Sequence, residues 1–471
     1  MKTRWIAITI IGGLLMGCRT VGPNYTRPVI QPPDAFRGSA DQAPTADSGS
    51  LADLKWFEVF KDEQLQKLIR EALESNYDLR DACYRVDAAR ANLGITRSDE
   101  FPTIGASTSI TTSRNSATGV FPLPQGIEQR RTFGSLALNL LTFEADIWGR
   151  LRSATAASRA DLLATEENRK SVVTTLVSDV AGAYFNLLEL DTELEIAERT
   201  LMTREESLKL IKNREQSGLA TLLEVRQGEQ LVHTAAQAIP NIEQHVEQAE
   251  NQISLLLGRN PGPIARGRLL TEQEQPPSVP AGVPSALLER RPDIRAAEQK
   301  LVSANAMIGV AKAAYYPRIS LTGFLGSQSS QLSNLFSGPT GVWQFIPQVA
   351  QPIFTGGRTR SNVRLTEAQE QLALIQYERT IQTAFREVSD TLVQYQKVKE
   401  VRATQEQLLS TLQDRSRLSY IRYRGGVDTL LSALDADRDL FDAEFGLAQT
   451  RRNELLTLVQ LYKALGGGWE Q

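Results

Sequence analysis

Cysteine and histidine are almost missing from this chain of 471 residues, with two of each. Two cysteines cannot build a disulfide framework, and so few ligands leave no Cys/His set for a structural zinc site. His233 and His245 lie too far apart on one helix-like stretch to chelate one metal and read as surface residues. Methionine is scarce at 4, which argues against a path lined with soft ligands for copper. A strong charge of either sign is also lacking. The net charge is −3, and with Lys2 and Arg4 set aside 50 basic residues face 55 acidic ones, which argues against a nucleic-acid binder. No enzyme motif is present: Gly466-Gly467-Gly468 has no helix after it and cannot cradle a phosphate, and no carboxylate pair stands out as catalytic. What the chain does have is 41% hydrophobic and 23% charged residues, enough for a large core. Length alone suggests about three domains.

Lys2 and Arg4 precede an apolar run from Trp5 to Leu15. The run is too short for a permanent membrane helix and has the layout of a secretory signal peptide, residues 1–17. Leu15-Met16-Gly17-Cys18 resembles the bacterial lipobox. That resemblance implies that Cys18 becomes the first mature residue and carries N-acyl and diacylglycerol lipid, with no other cofactor. Arg19 stands where an aspartate would favour inner-membrane retention, so the same resemblance implies sorting to the outer membrane. Cys83 has no partner and reads as a small packing residue of a helix. Pro23, Pro28, Pro32 and Pro33 hold Val21 to Pro33 extended, as a tether within residues 18–60.

An internal repeat replaces the three-domain expectation. Leu73, Glu74, Asp78, Arg80, Ala82, Gly94 and Pro102 recur in one register as Leu288, Glu289, Asp293, Arg295, Ala297, Gly309 and Pro317. Gly149, Arg150, Gly218, Thr221 and Leu223 recur as Gly357, Arg358, Gly426, Thr429 and Leu431. The copies occupy residues 61–270 and 285–468, joined by a Pro-rich link, 271–284. Each begins with a helix-like segment, about 63–97 and 285–314, that stops before Phe101-Pro102 or Tyr316-Pro317. Apolar residues then alternate (Leu136, Leu138, Leu140; Ile319, Leu321; Trp343, Phe345), which is the period of strands. Two hairpins, at about 103–147 and 318–354, make four strands with loop-rich tips at 119–126 and 327–341. Arg358 to Arg424 contains neither Gly nor Pro; as helix it would run roughly 100 Å. Its counterpart from Arg150 is interrupted only by Gly182. Each long helix turns at Gly218 or at Gly425-Gly426, and a second helix returns from Thr221 or Thr429.

Four strands cannot close a barrel, and their open edges are tolerated neither by water nor by lipid. Several copies must therefore pool strands, and helical hairpins laid side by side would continue the barrel as a tube. The fold class is α+β, a membrane protein with a tandem repeat of four strands and long antiparallel helical hairpins per chain.

Arg291-Pro292-Asp293-Ile294-Arg295-Ala296-Ala297-Glu298, then Ile308-Gly309-Val310-Ala311-Lys312-Ala313 and Tyr316-Pro317, resemble the signature of the TolC-like outer membrane factors, in their lipid-anchored efflux branch. Val21-Gly22-Pro23-Asn24-Tyr25 and Trp56-Phe57 with Asp62 and Leu65 resemble the start of those proteins. The resemblance spans essentially the whole mature chain. It implies a homotrimer with a twelve-stranded β-barrel, a twelve-helix periplasmic α-barrel and a mixed equatorial region. It also implies as partners a periplasmic adaptor and an inner-membrane pump of the resistance-nodulation-division type, and a gated duct for drugs or other small toxic compounds. A protein-secretion duct and a structural envelope lipoprotein are the alternatives.

By the same resemblance Leu431, Asp435 and Arg438 match the periplasmic gate. Spacings of four and three put them on one helical face, where symmetry would make an apolar ring and a carboxylate ring. Solvated charges on an amphipathic helix are the competing reading. The first repeat has Leu223, Gln227 and Gln230 there, so a charged gate would come from the second hairpin alone. Gly218, Leu219 and Thr221, with Gly426, Val427 and Thr429, resemble adaptor-docking tips; Gly for positive φ and Thr for capping explain the same residues as turn chemistry.

Overall fold

The computed structural model describes residues 20–38, 50–116, 128–274 and 284–469. The signal peptide, Cys18, the 119–126 tip and most of the Pro-rich link lie outside the described residues. The first repeat forms α1 (Glu63–Ser75), α2 (Tyr77–Ser98), β1 (Ile104–Arg114), β2 (Arg130–Glu144), α3 (Arg150–Gln216) and α4 (Leu222–Leu256). The second forms α5 (Pro284–Arg290), α6 (Pro292–Ala313), β3 (Arg318–Ser329), β4 (Gly341–Ala350), α7 (Arg358–Arg424) and α8 (Leu430–Ala464). α3 and α7 have 67 residues each, α4 and α8 35 each, α2 and α6 22 each. The repeat is therefore structural as well as sequential. Gly182 does not interrupt α3, because a glycine inside a helix costs only about 1 kcal/mol relative to alanine and the packing of a 67-residue helix absorbs it. The apolar stretch that makes α3 long and greasy enough to cross a membrane by composition is 61% buried in the fold, as a core helix is.

The chain divides into two compact units, and each draws on both repeats. One holds the described residues up to Pro28 with Val86–Thr165 and Ala297–Tyr377; the other holds Val29–Arg85, Glu166–Ala296 and Glu378 onward.

In the first unit the four strands form one antiparallel sheet in the order β1-β2-β3-β4. Register lines Ala106 with Leu138, Leu138 with Leu325 and Leu325 with Trp343, so one face is a continuous apolar row. The alternate face carries most of the polar residues, with Phe324 opposite Asn139 as an exception: Asn139 Nδ2 donates to Ser107 Oγ at 2.8 Å, and the hydroxyls of Ser109 and Ser135 are 2.8 Å apart. Leu138, Leu325 and Trp343 are more than half exposed, which water would not favour but hydrocarbon does. A register shift between Leu140 and Phe143 bends β2 near its end. Below the strands Trp148 stacks on Tyr316 at 4.6 Å and donates its indole N–H to the carbonyl of Pro317 at 2.8 Å. The extended tether docks here as well, with the Val21 N–H on the Trp148 carbonyl at 3.2 Å.

In the second unit the structure departs from the sequence expectation of one leading helix per repeat: there are two, broken at Asn76 and at Arg291. Pro292 excludes the helical conformation at Arg291. Asn76 acts differently: its Oδ1 accepts the Leu79 N–H at 3.0 Å and starts a new helix. The two residues stand in the same register of the repeat and share a contact. Asn76 Nδ2 donates to the Leu256 carbonyl (2.9 Å) and Arg291 Nη1 to the Ala464 carbonyl (3.0 Å), each at the end of its own return helix. Cys83 is the second correction. It is exposed, because the buried stripe of α2 runs through Leu79, Ala82 and Val86 and passes beside it. The histidines are on the surface of α4 as expected.

Asp62 is the polar hub of this unit. Buried to 3% exposure, it accepts the backbone N–H groups of Gln64 (2.8 Å), Leu65 (3.2 Å) and Arg268 (3.0 Å), the Tyr184 hydroxyl (3.1 Å) and Gln273 Nε2 (2.9 Å). Burial alone would raise its pKa; the donors Gln273, Arg268, Leu65 and Gln64 outweigh burial and hold it below the usual carboxylate range. The unfolded chain therefore binds a proton at Asp62 before the folded one does. The stabilisation is complete above about pH 4 and is lost as pH falls through the depressed folded value. Asp62→Ala removes a helix cap and orphans buried donors, an expected loss of ~3 kcal/mol with a flatter acid limb, read by thermal melts between neutral and acid pH. An unchanged acid limb would contradict the assignment.

Candidate functional site at the helical tips

The two long hairpins turn with the same chemistry. Gly218 and Gly426 have φ of 73° and 72°, and nothing lies within 4 Å of where a Cβ would stand, so backbone conformation alone demands glycine. Gly218 N–H binds Glu215 O (2.8 Å) and Leu219 N–H binds Arg214 O (2.7 Å); Gly426 N–H binds Tyr423 O (3.0 Å) and Val427 N–H binds Arg422 O (3.0 Å). Both pairs are the Schellman pattern that closes a helix C-terminus. Thr221 and Thr429 then cap the return helices. Thr221 forms a full capping box with Glu224, whose carboxylate accepts the Thr221 N–H at 2.6 Å. Beside Thr429, Asp428 accepts the Thr429 N–H at 2.8 Å, Arg422 Nε at 3.2 Å and the Ser432 hydroxyl at 3.1 Å. Those donors, the Thr429 N–H first, hold the half-buried Asp428 carboxyl below its ordinary range.

Behind the turns a small core ties both hairpins together: Ile211, Val225, Tyr423, Leu430, Ala433 and Leu434. Gly228 allows the close approach, since a Cβ there would press on Leu208 and Ile211 at 3.1 and 3.2 Å. In front of the turns Leu219, Leu223, Val427 and Leu431 remain exposed, two from equivalent positions of each repeat.

Leu431, Asp435 and Arg438 share the outward face of α8, beside the buried Leu434 and Asp437. Arg438 Nη2 lies 3.5 Å from Asp435 and 3.6 Å from Asp439, and Asp439 accepts Arg415 Nη1 from α7 at 2.6 Å. Asp435 and Arg438 are thus joined by two more charges, Asp439 and Arg415, in a chain that crosses from α8 to α7, while the apolar Leu431 takes no part in it.

One pair at this site escaped sequence reasoning. Arg204 of α3 is buried and donates Nε to Asp437 at 2.7 Å and Nη1 to the Leu231 carbonyl at 3.1 Å, while its guanidinium lies 4.9 Å from the Phe441 ring centre. It binds the first hairpin to the second through their interior. Burial, followed by the charge of Asp437, pushes the nearby Tyr420 hydroxyl upward. The available signal was weak: an arginine and an aspartate in helices that are otherwise apolar on those faces, with Leu412 and Glu229 at the equivalent positions of the other repeat.

Comparison with known proteins agrees with this architecture. The family model described as outer membrane efflux protein matches residues 68–259 and again 283–467, once per repeat. The toluene efflux pump outer membrane protein TtgC of Pseudomonas putida is 37% identical over 471 residues, covering all of this chain and 96% of that protein. The cation efflux system protein CusC of Escherichia coli is 35% identical over 458 residues, covering 97% of each. Among solved structures, the open state of the Neisseria gonorrhoeae MtrE outer membrane channel superposes with a TM-score of 0.86 at 32% identity, covering 96% of this chain and 99% of that one. The chain belongs to the outer membrane efflux protein family.

Proposed function

We propose that the chain is the outer membrane duct of a tripartite efflux system: a homotrimer that passively conducts drugs or other small toxic compounds from periplasm to exterior. The observation that carries this reading is the open four-stranded sheet, apolar on one face and polar on the other, in a chain whose hairpin helices are 67 and 35 residues long. Its edge strands β1 and β4 need partners, and other copies supply them at least cost. The chain has no chemistry of its own. Relatives at 37% and 35% identity are named for toluene and for cations, so the duct architecture does not select cargo. An adaptor of apolar, helical character would dock on the exposed Leu219, Leu223, Val427 and Leu431, with Gly218, Thr221, Gly426 and Thr429 shaping the turns. Leu431, Asp435 and Arg438 would close the tip at rest.

Deletion of the gene with the adaptor and pump left in place is expected to sensitise the cell to several unrelated toxic compounds. Unchanged susceptibility together with loss of a secreted protein would transfer the chain to protein secretion. The Cys18 lipid is tested separately: intact mass of the parent should exceed that of the cleaved chain by the diacylglycerol and acyl groups, and Cys18→Ser should lose that increment. A parent mass without lipid would remove the anchor.

A further inference from the structure

Where α3 meets α8, four side-chain ties join the two hairpins: Arg199 to Glu444, Arg204 to Asp437, Glu189 to Arg452 and Glu193 to Gln449. The first two are balanced ion pairs, at 2.8 and 2.7 Å. The other two are not balanced. Glu189 and Glu193 are one helical turn apart on α3, so their carboxyls lie side by side, and both are buried, at 2% and 8% exposure. Against this pair α8 sets a single cation, Arg452. Its Nη1 is divided between Glu189 Oε2 at 3.3 Å and Asn186 Oδ1 at 3.1 Å, while Nε and Nη2 go to Asn453 Oδ1 at 3.3 and 3.2 Å. Glu193 receives only a neutral donor from α8, Gln449 Nε2 at 3.0 Å. No charged group besides Glu193 and Arg452 bears on Glu189 among the described residues. The second repeat has Lys397 and Val401 at the equivalent positions, so the acid pair belongs to the α3–α8 contact alone.

Two carboxylates and one guanidinium leave a negative charge in excess where water is excluded, and one shared proton removes it. Burial, then the hydrogen bond and the charge of Glu193, push the Glu189 carboxyl up to about 8 against the pull of Arg452. With the proton in place, one carboxyl donates to the other and the cluster is neutral together with Arg452. Without it, two like charges face each other on α3 and hold α8 through one divided guanidinium.

We propose that Glu189 and Glu193 form a proton-operated latch between the two hairpins, closed while they share one proton and loosened as the medium turns alkaline and the proton leaves. A carboxyl freed from this contact releases its proton near its ordinary 4.5, whereas the buried pair keeps it to about 8. The contact therefore weakens steadily as pH rises between those values and is level above them. The duct reading enters only through the consequence, since the helices of a periplasmic duct meet the pH of the medium; the latch itself is a property of the single chain.

The test is hydrogen exchange of the purified full chain, followed along α3 and α8 on either side of Glu189 and Arg452 and corrected for the chemical dependence of exchange on pH. Between about pH 6 and pH 8 the opening equilibrium there should rise by close to tenfold per pH unit in the parent, the effect of one linked proton. In Glu189→Gln, which keeps the shape and a donor but cannot ionise, that rise should disappear. A second readout is spectroscopic: the infrared difference spectrum of the parent between about pH 6 and pH 10 should lose the carbonyl band of one protonated carboxyl, and Glu189→Gln should show no such loss. If Glu189→Gln does not fold, the band in the parent decides alone. A parent without that band, or Glu189→Gln with the same pH dependence of exchange as the parent, overturns the proposal. Neither readout involves conductance or export, so failure of the latch and failure of the duct reading are separate results.

Discussion

Arg204→Ala is expected to destabilise the tip bundle by about 3–5 kcal/mol, because it leaves the Asp437 carboxylate buried without its cation. The side chains of the pair are 2% and 9% exposed, so water cannot replace the lost partner. Removing one half of such a pair costs far more than the pair contributes, and replacing both halves tests that statement. Arg204→Met with Asp437→Leu keeps the volume and removes both charges; its stability should lie close to that of the parent. The readout is hydrogen exchange along α3 and α8 next to the turns, with the thermal melt as the global measure. If Arg204→Ala exchanges like the parent, the pair does not join the hairpins.

The second large effect concerns closure. On the proposed gate, Asp435→Ala releases Arg438 from one of its two carboxylates, 3.5 Å away, and in a trimer would remove three charges from the narrowest ring. The exposed pair itself contributes little stability, roughly 0–1 kcal/mol, so folding should be unaffected while the closed state loses its charged seal. Cells carrying Asp435→Ala should become several-fold more sensitive to a large hydrophilic antibiotic that the parent excludes. Asp439→Asn should act in the same direction, since Asp439 holds Arg438 from the other side and is anchored by Arg415. Sensitivity equal to the parent in both variants would leave these residues as solvated surface charges.

What was legible in the sequence follows from how local each signal is. Alternating residues, the Gly turns and the Thr caps are set within a few positions, and each was found where expected. The repeat extended that reach: it paired Gly149 with Gly357 and Gly218 with Gly426 without any structure. The break at Arg291 carried a proline as its signal, whereas the break at Asn76 has only a capping side chain whose partners are set by folding. Arg204 and Asp437 are 233 residues apart, and although Glu229 is the acidic counterpart of Asp437, Leu412 stands where a counterpart of Arg204 would be, so the repeat does not announce the pair. Cys83 was misplaced because α2 is weakly amphipathic, and a shift of one position separates its buried stripe from its exposed side. Local chemistry announces itself; asymmetry between the copies does not, and the buried Arg204–Asp437 tie lies at such an asymmetric position.

The most direct measurement is single-channel conductance of the purified full chain in a planar bilayer, parent beside Asp435→Ala. The parent should insert as a pore of small, rarely open conductance, and Asp435→Ala should open to a several-fold larger one at the same salt. Bilayers that stay silent with both proteins, at a concentration where a related channel inserts, would contradict the assignment of this chain as a gated duct.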